Sequence, residues 1–564
     1  MNVAQIMLPE IILMTCACAL FLVGTFRQTG ARRLAAMGAI SALAVVFVMQ
    51  LSTITGEGPR RTLGDASGAL RVSHFAQYVK MLAAGVGMLF VLLSWPSARE
   101  ARGNSGVEYG ADAGEFFALL LLSIAGIFVV ASANDLIVLF LGIELASIPT
   151  YIMVSISRPV PAAQEAGVKY FFLGAMSAAL LLFGLSYLYG TTGTTNMLSI
   201  ARMCAASHAP GQPVVLSAWQ MLAVVMVIAG IAFKIAAVPL HFYAGDVYQG
   251  AATSVTALLS FVPKTSGFVG LIRILYMIGG GESFAAPHEI AKLIWVMAAL
   301  TMTVGNVLGL LQVNVKRVLA YSSVAHSGYM LVGVAALVSG ASDPAVRIDA
   351  LRGVLFYLAA YGIMNAGAFG VLMLLPAIPT DRPHPPSPSV SAETFRDIAG
   401  QGRRHVWVGL AMAVCCFSLI GLPLTVGFFG KVYLILPALR AQQYWLVVIT
   451  MINAAISAAY YMRIVATMFL EPPHSDAGEA VEADPHLTAL LPSTAVLIAV
   501  SISAAGTLLF GTVFPATELL NTQAATAAVI DEPLIPLAGL PHGSEATQAS
   551  ARPGVAGGPS FSSK

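Results

Sequence analysis

The sequence predicts an all-α, polytopic membrane protein of about fourteen transmembrane helices. Three observations predict it. Hydrophobic residues make up 57% of the 564 residues and charged residues only 10%, whereas a soluble domain carries about 25% charged residues. Apolar runs of roughly 20 residues, the length that crosses a bilayer, recur along the chain. The basic residues are also sorted by type. Of 29 Lys and Arg, 21 are arginines, most of them in short connectors, while five of the eight lysines (Lys80, Lys169, Lys234, Lys264 and Lys431) lie in or at the mouth of apolar stretches. Arginine stays charged in proteins, whereas a buried lysine can lose its proton. Fixed charge in the loops and titratable charge in the membrane point to proton handling.

In order, the expected spans are 6–26, 35–54, 75–95, 114–132, 135–156, 167–190, 217–245, 253–278, 290–312, 318–338, 350–376, 407–438, 443–469 and 487–514. The first lacks a basic start and carries Glu10, so it reads as a span rather than a cleaved leader. No role follows for Glu10. Lys80 in the third and Arg463 in the thirteenth lie near span ends and read as interfacial anchors. The fifth span has Glu144 at its centre, in LIVLFLGIELASIPTYI. Lys169 stands near the start of the sixth, where snorkelling to the interface is the rival account. The seventh places Lys234 five residues before Pro239. Lys264 is central in the eighth, and His326 lies in the tenth, in AYSSVAHSGYM. The twelfth is long and is interrupted by Gly421, Pro423, Gly427 and Gly430 ahead of Lys431.

The seventh and twelfth spans therefore read as discontinuous helices, each with a lysine near its break. Interrupted segments in corresponding positions mark internal repeats around an ion path. The expected organisation is helices one to three (1–112), a first five-helix repeat (113–285), an inverted second repeat (286–470), helix fourteen (471–520) and a disordered tail (521–564). The Pro-rich stretch 379–390, PTDRPHPPSPSV, is a connector. With both termini outside, twelve basic residues fall in inward loops against eight in outward ones, a modest positive-inside bias. A net charge of +2 without a basic cluster speaks against nucleic acid as a partner. The five cysteines have no spacing suited to zinc or an iron–sulfur cluster and read as packing residues.

An ionisable side chain at the bilayer centre costs roughly 2.5–3.5 kcal/mol on insertion scales, so each is a functional hypothesis. The rival reading of Glu144, Lys234 and Lys264 is a structural ion pair, but one carboxylate cannot pair several separate lysines. As a relay, moving Glu144 towards or away from Lys234 would load or release a proton. Lys264 would take it laterally and Lys431 would pass it to an exit. His326 is equally a bridge between them or a structural hydrogen-bonding group. A haem or quinone redox protein would need paired membrane histidines, for which only His241 and His326 are candidates.

The stretches ASANDLIVLFLGIELASIPTYIM, EAGVKYFFLGAMSAALLLFGLSYLYG, FKIAAVPLHFYAGDVYQGA, SFVPKTSGF, NVKRVLAYSSVAHSGYMLVG, FYLAAYGIMNAGAF and GLPLTVGFFGKVYL closely resemble the antiporter-like membrane subunits of respiratory complex I, the bacterial NADH-quinone oxidoreductase. The resemblance runs from about residue 70 to 470 in a specific order. It implies that Glu144 is the helix-five glutamate, Lys234 its paired helix-seven lysine and Lys264 the connecting helix-eight lysine. Lys431 matches a position where one branch of the family has lysine and its nearest relative has glutamate. No long amphipathic helix is expected after span fourteen, which argues against a third branch.

The implied function is proton translocation in the membrane arm of a translocating oxidoreductase. NADH, FMN, iron–sulfur clusters and quinone would be used by other subunits, and this chain would bind neither cofactor nor metal. The implied partners are the other membrane-arm subunits and the lipid of the bacterial inner membrane. One segment departs from the family pattern: Tyr243, Gly245, Gln249, Ala252 and Ser254 replace a tryptophan, a proline, an acid and two further prolines, so a more flexible loop is expected. The alternatives are a subunit of a multisubunit cation/proton antiporter, which shares these motifs, and a structural membrane subunit with an inactive channel.

Overall fold

The computed structural model describes residues 7–26, 29–55, 68–96, 113–158, 160–206, 214–281, 284, 286–339, 343–376, 392–472 and 493–528. The connector 379–390 and residues 529–564 of the expected tail lie outside the described residues. Three helices come first: α1 (Leu8–Gly24), α2 (Thr29–Thr55) and α3 (His74–Leu93). They are followed by α4 (Ala113–Ser132), α5 (Leu136–Ile156), α6 (Pro161–Thr192), the short α7 (Met197–Ala206), α8 (Ala218–Lys234), α9 (Ala244–Gly250) and α10 (Thr253–Ile278). The rest comprises α11 (His288–Leu310), α12 (Val315–Leu337), α13 (Pro344–Leu374), α14 (Phe395–Ile398), α15 (Gln401–Arg404), α16 (Val406–Ile420), α17 (Val426–Arg440), α18 (Tyr444–Phe469), α19 (Thr494–Thr512) and α20 (Phe514–Ala528). No strand occurs among the described residues, only isolated bridges such as Leu70–Ala133 and Asn314–Thr394.

Helix starts follow local chemistry. The side chains of Ser73, Asp135, Asn314 and Asp343 accept backbone N–H bonds at the starts of α3, α5, α12 and α13. Ser217 and Gln220 form a reciprocal capping box on α8. In hydrocarbon this closure matters more than in water, because an unpaired backbone group costs several kcal/mol.

Eleven described helices are long and apolar enough to cross a membrane, or twelve if the bent pair Phe395–Arg404 and Val406–Ile420 counts as one span. Eleven of the expected spans coincide with these. Two of the others meet the shorter helices Leu8–Gly24 and Ala218–Lys234, and the twelfth is split between α16 and α17. α10, α12 and α13 are enclosed almost throughout and form the centre of the bundle, while α6 and α18 present exposed Phe171, Phe172, Trp445 and Met451. This layering puts Lys264 and His326 on the most enclosed helices.

Two expectations are corrected here. The tail expected to be disordered from 521 begins as helix, because α20 continues to Ala528 through the alanine-rich NTQAATAA. Segment 243–254 is built as α9 and the start of α10, with Ala252 and Ser254 fully buried, rather than as a loose loop.

Candidate functional site

Glu144 lies mid-way along α5, and Lys234 is the last residue of α8. Lys234 Nζ lies 2.9 Å from Glu144 Oε1 and donates to the hydroxyl of Tyr151 at 3.0 Å. Tyr151 is seven residues beyond Glu144, two helical turns along the same face. The lysine side chain is 2% exposed and the glutamate 13%. Tyr170 packs edge-on against Tyr151 at 4.5 Å and stacks on Tyr243 at 5.2 Å, walling the pair with aromatic rings.

The helix stops at Lys234 because Ala236 adopts a left-handed φ of 54° and Pro239 follows. The freed backbone groups find partners inside the bundle. Val238 N–H donates to the Thr301 hydroxyl of α11 at 3.0 Å, and the Tyr243 hydroxyl donates to the Phe233 carbonyl at 3.0 Å. Tyr243, one of the residues that depart from the family pattern, therefore closes the broken end of α8. Gly267, one turn beyond Lys264 on α10, allows α10 to lie against this break. A Cβ there would stand 3.2 Å from the Lys234 Cβ and 2.5 Å from Ile235.

Deeper in the bundle, Lys264 donates to the Ser323 carbonyl of α12 and lies over the Tyr361 ring at 5.6 Å. The His326 ring sits 5.1 Å from the Tyr361 ring and 5.5 Å from that of Tyr329. Its Nδ1 bonds the Tyr357 hydroxyl at 2.6 Å and its Nε2 the Tyr461 hydroxyl at 3.0 Å. Lys431 Nζ lies 4.7 Å over Tyr329 and donates to the carbonyls of Leu419 at 3.1 Å and Ile420 at 2.6 Å. The order Lys264, Tyr361, His326, Tyr329, Lys431 is thus contiguous, with the imidazole in the middle. Lys431 stands behind the second break, where α16 ends at Ile420 and α17 begins at Val426.

Lys169 is not brought together with these groups. It is 45% exposed and pairs with Glu165 at 2.7 Å and Asp246 at 3.3 Å. Asp246 also takes Arg317 at 2.9 Å. Burial pushes the Asp246 carboxyl up, but the hydrogen bonds from Arg317 and Lys169 outweigh it and hold it below the usual carboxylate range. On the same principle, Glu393 joins Arg158 at 2.6 Å and Lys316 at 3.2 Å. Lys316 is fully buried and also donates to the Ala251 carbonyl at 2.7 Å, just past α9.

Several groups that line the candidate site escape a reading of the chain alone. Tyr151, Tyr329, Tyr357, Tyr361 and Tyr461 supply the ring faces and hydroxyls between the charged groups, yet tyrosine is ordinary in membrane helices. The i+7 spacing of Tyr151 from Glu144 is the one available signal. Lys80, expected as an interfacial anchor, is instead buried and lies 2.6 Å from Glu10, to which no role was assigned. Both stand early in their helices and are enclosed by neighbouring ones, α1 packing on α2 and α4 and α3 on the same two.

Comparison with known proteins gives a consistent result. Residues 133–457 match the family described as NADH:quinone oxidoreductase/Mrp antiporter, TM. The chain is 35% identical over 544 residues to NADH-quinone oxidoreductase subunit N of Trichlorobacter lovleyi, covering 94% of this chain and 99% of that one. It is 34% identical over 526 residues to subunit N of Rhodospirillum rubrum, covering 93% and 96%. Among solved structures it is similar to a chain of respiratory complex I from Thermus thermophilus with bound aureothin, with a TM-score of 0.67, 27% identity and coverage of 90% and 98%. A chain of the Mrp complex from Dietzia sp. shares the fold with a TM-score of 0.73 at 20% identity, covering 93% and 97%.

Proposed function

Because the chain belongs to the NADH-quinone oxidoreductase subunit N family of antiporter-like membrane proteins, we propose that it moves protons through a relay of Glu144, Lys234, Lys264, His326 and Lys431. It is a membrane-arm subunit of the oxidoreductase, and it couples electron transfer from NADH to quinone in other subunits to proton movement. The observation that carries the relay is the Glu144–Lys234 pair at the end of a broken helix, held at 2.9 Å beside an unwound segment. A break supplies backbone that can rearrange within the membrane, and its polar groups have partners on α11 and on Tyr243.

In this reading the proton leaves the Lys234 ammonium when Glu144 withdraws, since the carboxylate is what favours the charged lysine. Lys264, across the Gly267 contact, receives it. His326 passes it between the two tyrosine-faced lysines, and Lys431 delivers it towards the far half of α17. Lys169 and Asp246 stand at the edge of α9 and hold the break in register from outside the relay. Redox centres and quinone belong to other subunits, and the partners of this chain are the remaining membrane-arm subunits in the bacterial inner membrane, with both termini on the outer side.

The test is Lys234→Ala in the assembled complex, with NADH-driven acidification of inverted membrane vesicles as the readout. Acidification and coupled NADH oxidation are expected to fall sharply while the complex still assembles on a native gel. Undiminished acidification would remove Lys234 from the path.

A further inference from the structure

A second buried ion pair lies outside the relay. Lys80 of α3 and Glu10 of α1 meet at 2.6 Å, with side chains 5% and 2% exposed, and the ammonium lies 5.9 Å over the Phe128 ring of α4. Three helices of the N-terminal part thus close around a single carboxylate and a single ammonium. The arrangement repeats the chemistry of Glu144 and Lys234, where a carboxylate also meets an ammonium from another helix and the ammonium lies 5.6 Å over the Tyr151 ring.

One feature separates this pair from a passive tie. Glu10 uses only one of its oxygens: Oε2 is buried and has no hydrogen-bond partner. A structural carboxylate in hydrocarbon is stable when all its lone pairs are occupied, and an open one is costly. An unoccupied oxygen facing no donor is where a proton can be added. The Gln77 side-chain oxygen, one turn before Lys80 on α3, is also buried and unpartnered, leaving a free acceptor on the same helix face. The pair is close to one end of its helices. Glu10 is the third residue of α1, and Lys80 is the seventh of α3, about 10 Å along the axis from the Ser73 cap.

We propose that Glu10 and Lys80 form a proton-exchanging pair, distinct from the relay, that takes up one proton at the membrane face from which α1 and α3 begin and returns it there. The resting pair is a carboxylate and an ammonium. Uptake puts H+ on Glu10 Oε2, giving a carboxylic acid beside the ammonium, and release restores the starting charges. Other charges stand on the helices packed against α3, and one of them, Arg273 of α10, is at the same end as the pair, over Phe75 five residues before Lys80. Arg32 and Arg33 belong to the first turn of α2, and Glu115 lies beside Gly24 at the far end of α1. Arg347, Asp349 and Arg352 belong to the start of α13, and Glu518 is on α20. The exchange does not rest on the translocation reading.

The experiment is a pH titration of the intact detergent-purified complex followed by infrared difference spectroscopy of the carboxylic acid C=O band. A titrating band is expected in the parent complex. It should be lost in Glu10→Gln, shifted in midpoint in Lys80→Met and unchanged in Lys234→Ala, which keeps this result separate from failure of the relay. No band that depends on Glu10 would overturn the proposal. If Glu10→Gln does not assemble, Glu10→Asp retains the charge on a shorter side chain and should shift the midpoint; an unshifted band overturns the proposal equally.

Discussion

At the scale of single residues, one carboxylate and four cationic or imidazole groups are supported by phenols. Tyr151 is the clearest case, because its hydroxyl is the second acceptor of the Lys234 ammonium, at 3.0 Å. A hydrogen bond to a charged group contributes about 1.5–3 kcal/mol, so Tyr151→Phe should loosen the hold on the Lys234 ammonium without removing either partner of the ion pair. The expected outcome is assembled complex with slower NADH-driven acidification and an altered pH profile of that rate. A rate and profile equal to the parent's would show that the phenol is only packing. Glu144, Lys234, Lys264 and Lys431 were legible in the sequence because a charge inside an apolar run is an anomaly that composition exposes. The tyrosines were not, since a phenol costs little in a membrane helix and its role depends on which helix faces it. Lys80 was misread, and Glu10 left without a role, for a related reason: closeness to a span end argues for the interface unless a neighbouring helix covers it, and that cover is not written in the local sequence.

At the scale of elements, the two breaks carry the design. Both were visible as Gly and Pro interruptions beside a lysine, but how each break is closed was not. The first is closed by Thr301 and Tyr243, and the second by Lys431 itself together with Ser418, whose hydroxyl accepts the Gly427 N–H at 3.0 Å. Gly427 allows α17 to press against the end of α16, where an added Cβ would lie 1.9 Å from the Ser418 carbonyl oxygen. That oxygen is backbone and cannot move aside, so Gly427→Ala is expected to abolish assembly of the complex on a native gel. Gly506→Ala is the matched control, since its Cβ meets only Ile363 at an ordinary 3.5 Å and assembly should be unaffected. Segment 243–254 teaches the converse lesson. Its departures from the family pattern suggested looseness, yet each new residue has a fitted neighbour, as when Gln249 accepts from Arg317 at 2.9 Å.

At the scale of the whole molecule, distant parts of the chain are fastened near the ends of the helices. Glu393 stands beside the Pro-rich connector, whose composition gives no hint that it binds Arg158 after α5 and Lys316 on α12. Burial raises its carboxyl, but those two cations outweigh it and hold it below the ordinary glutamate range. A carboxyl depressed in the folded state contributes stability that is present above its unfolded value and is lost as pH falls through the folded one. Glu393→Gln should therefore lower the unfolding temperature of the purified protein in detergent at pH 7, by the equivalent of about 3 kcal/mol. The gap from the parent should narrow below about pH 4, where the parent's carboxylate also gains a proton. A gap constant with pH would mean that the charge is not what fastens these segments. The reach of Lys431 across the second break has a further consequence at this scale. Its ammonium is clamped to the Leu419 and Ile420 carbonyls, so two of the hydrogens that carry its charge also stitch two half-helices together. Affinity for a proton and the mechanical state of the helix are then two faces of one coupling energy, which must be reciprocal. In the proposed relay, a neighbour that pries α17 from α16 would do work on a proton, and a proton arriving at Lys431 would pull back on the neighbour.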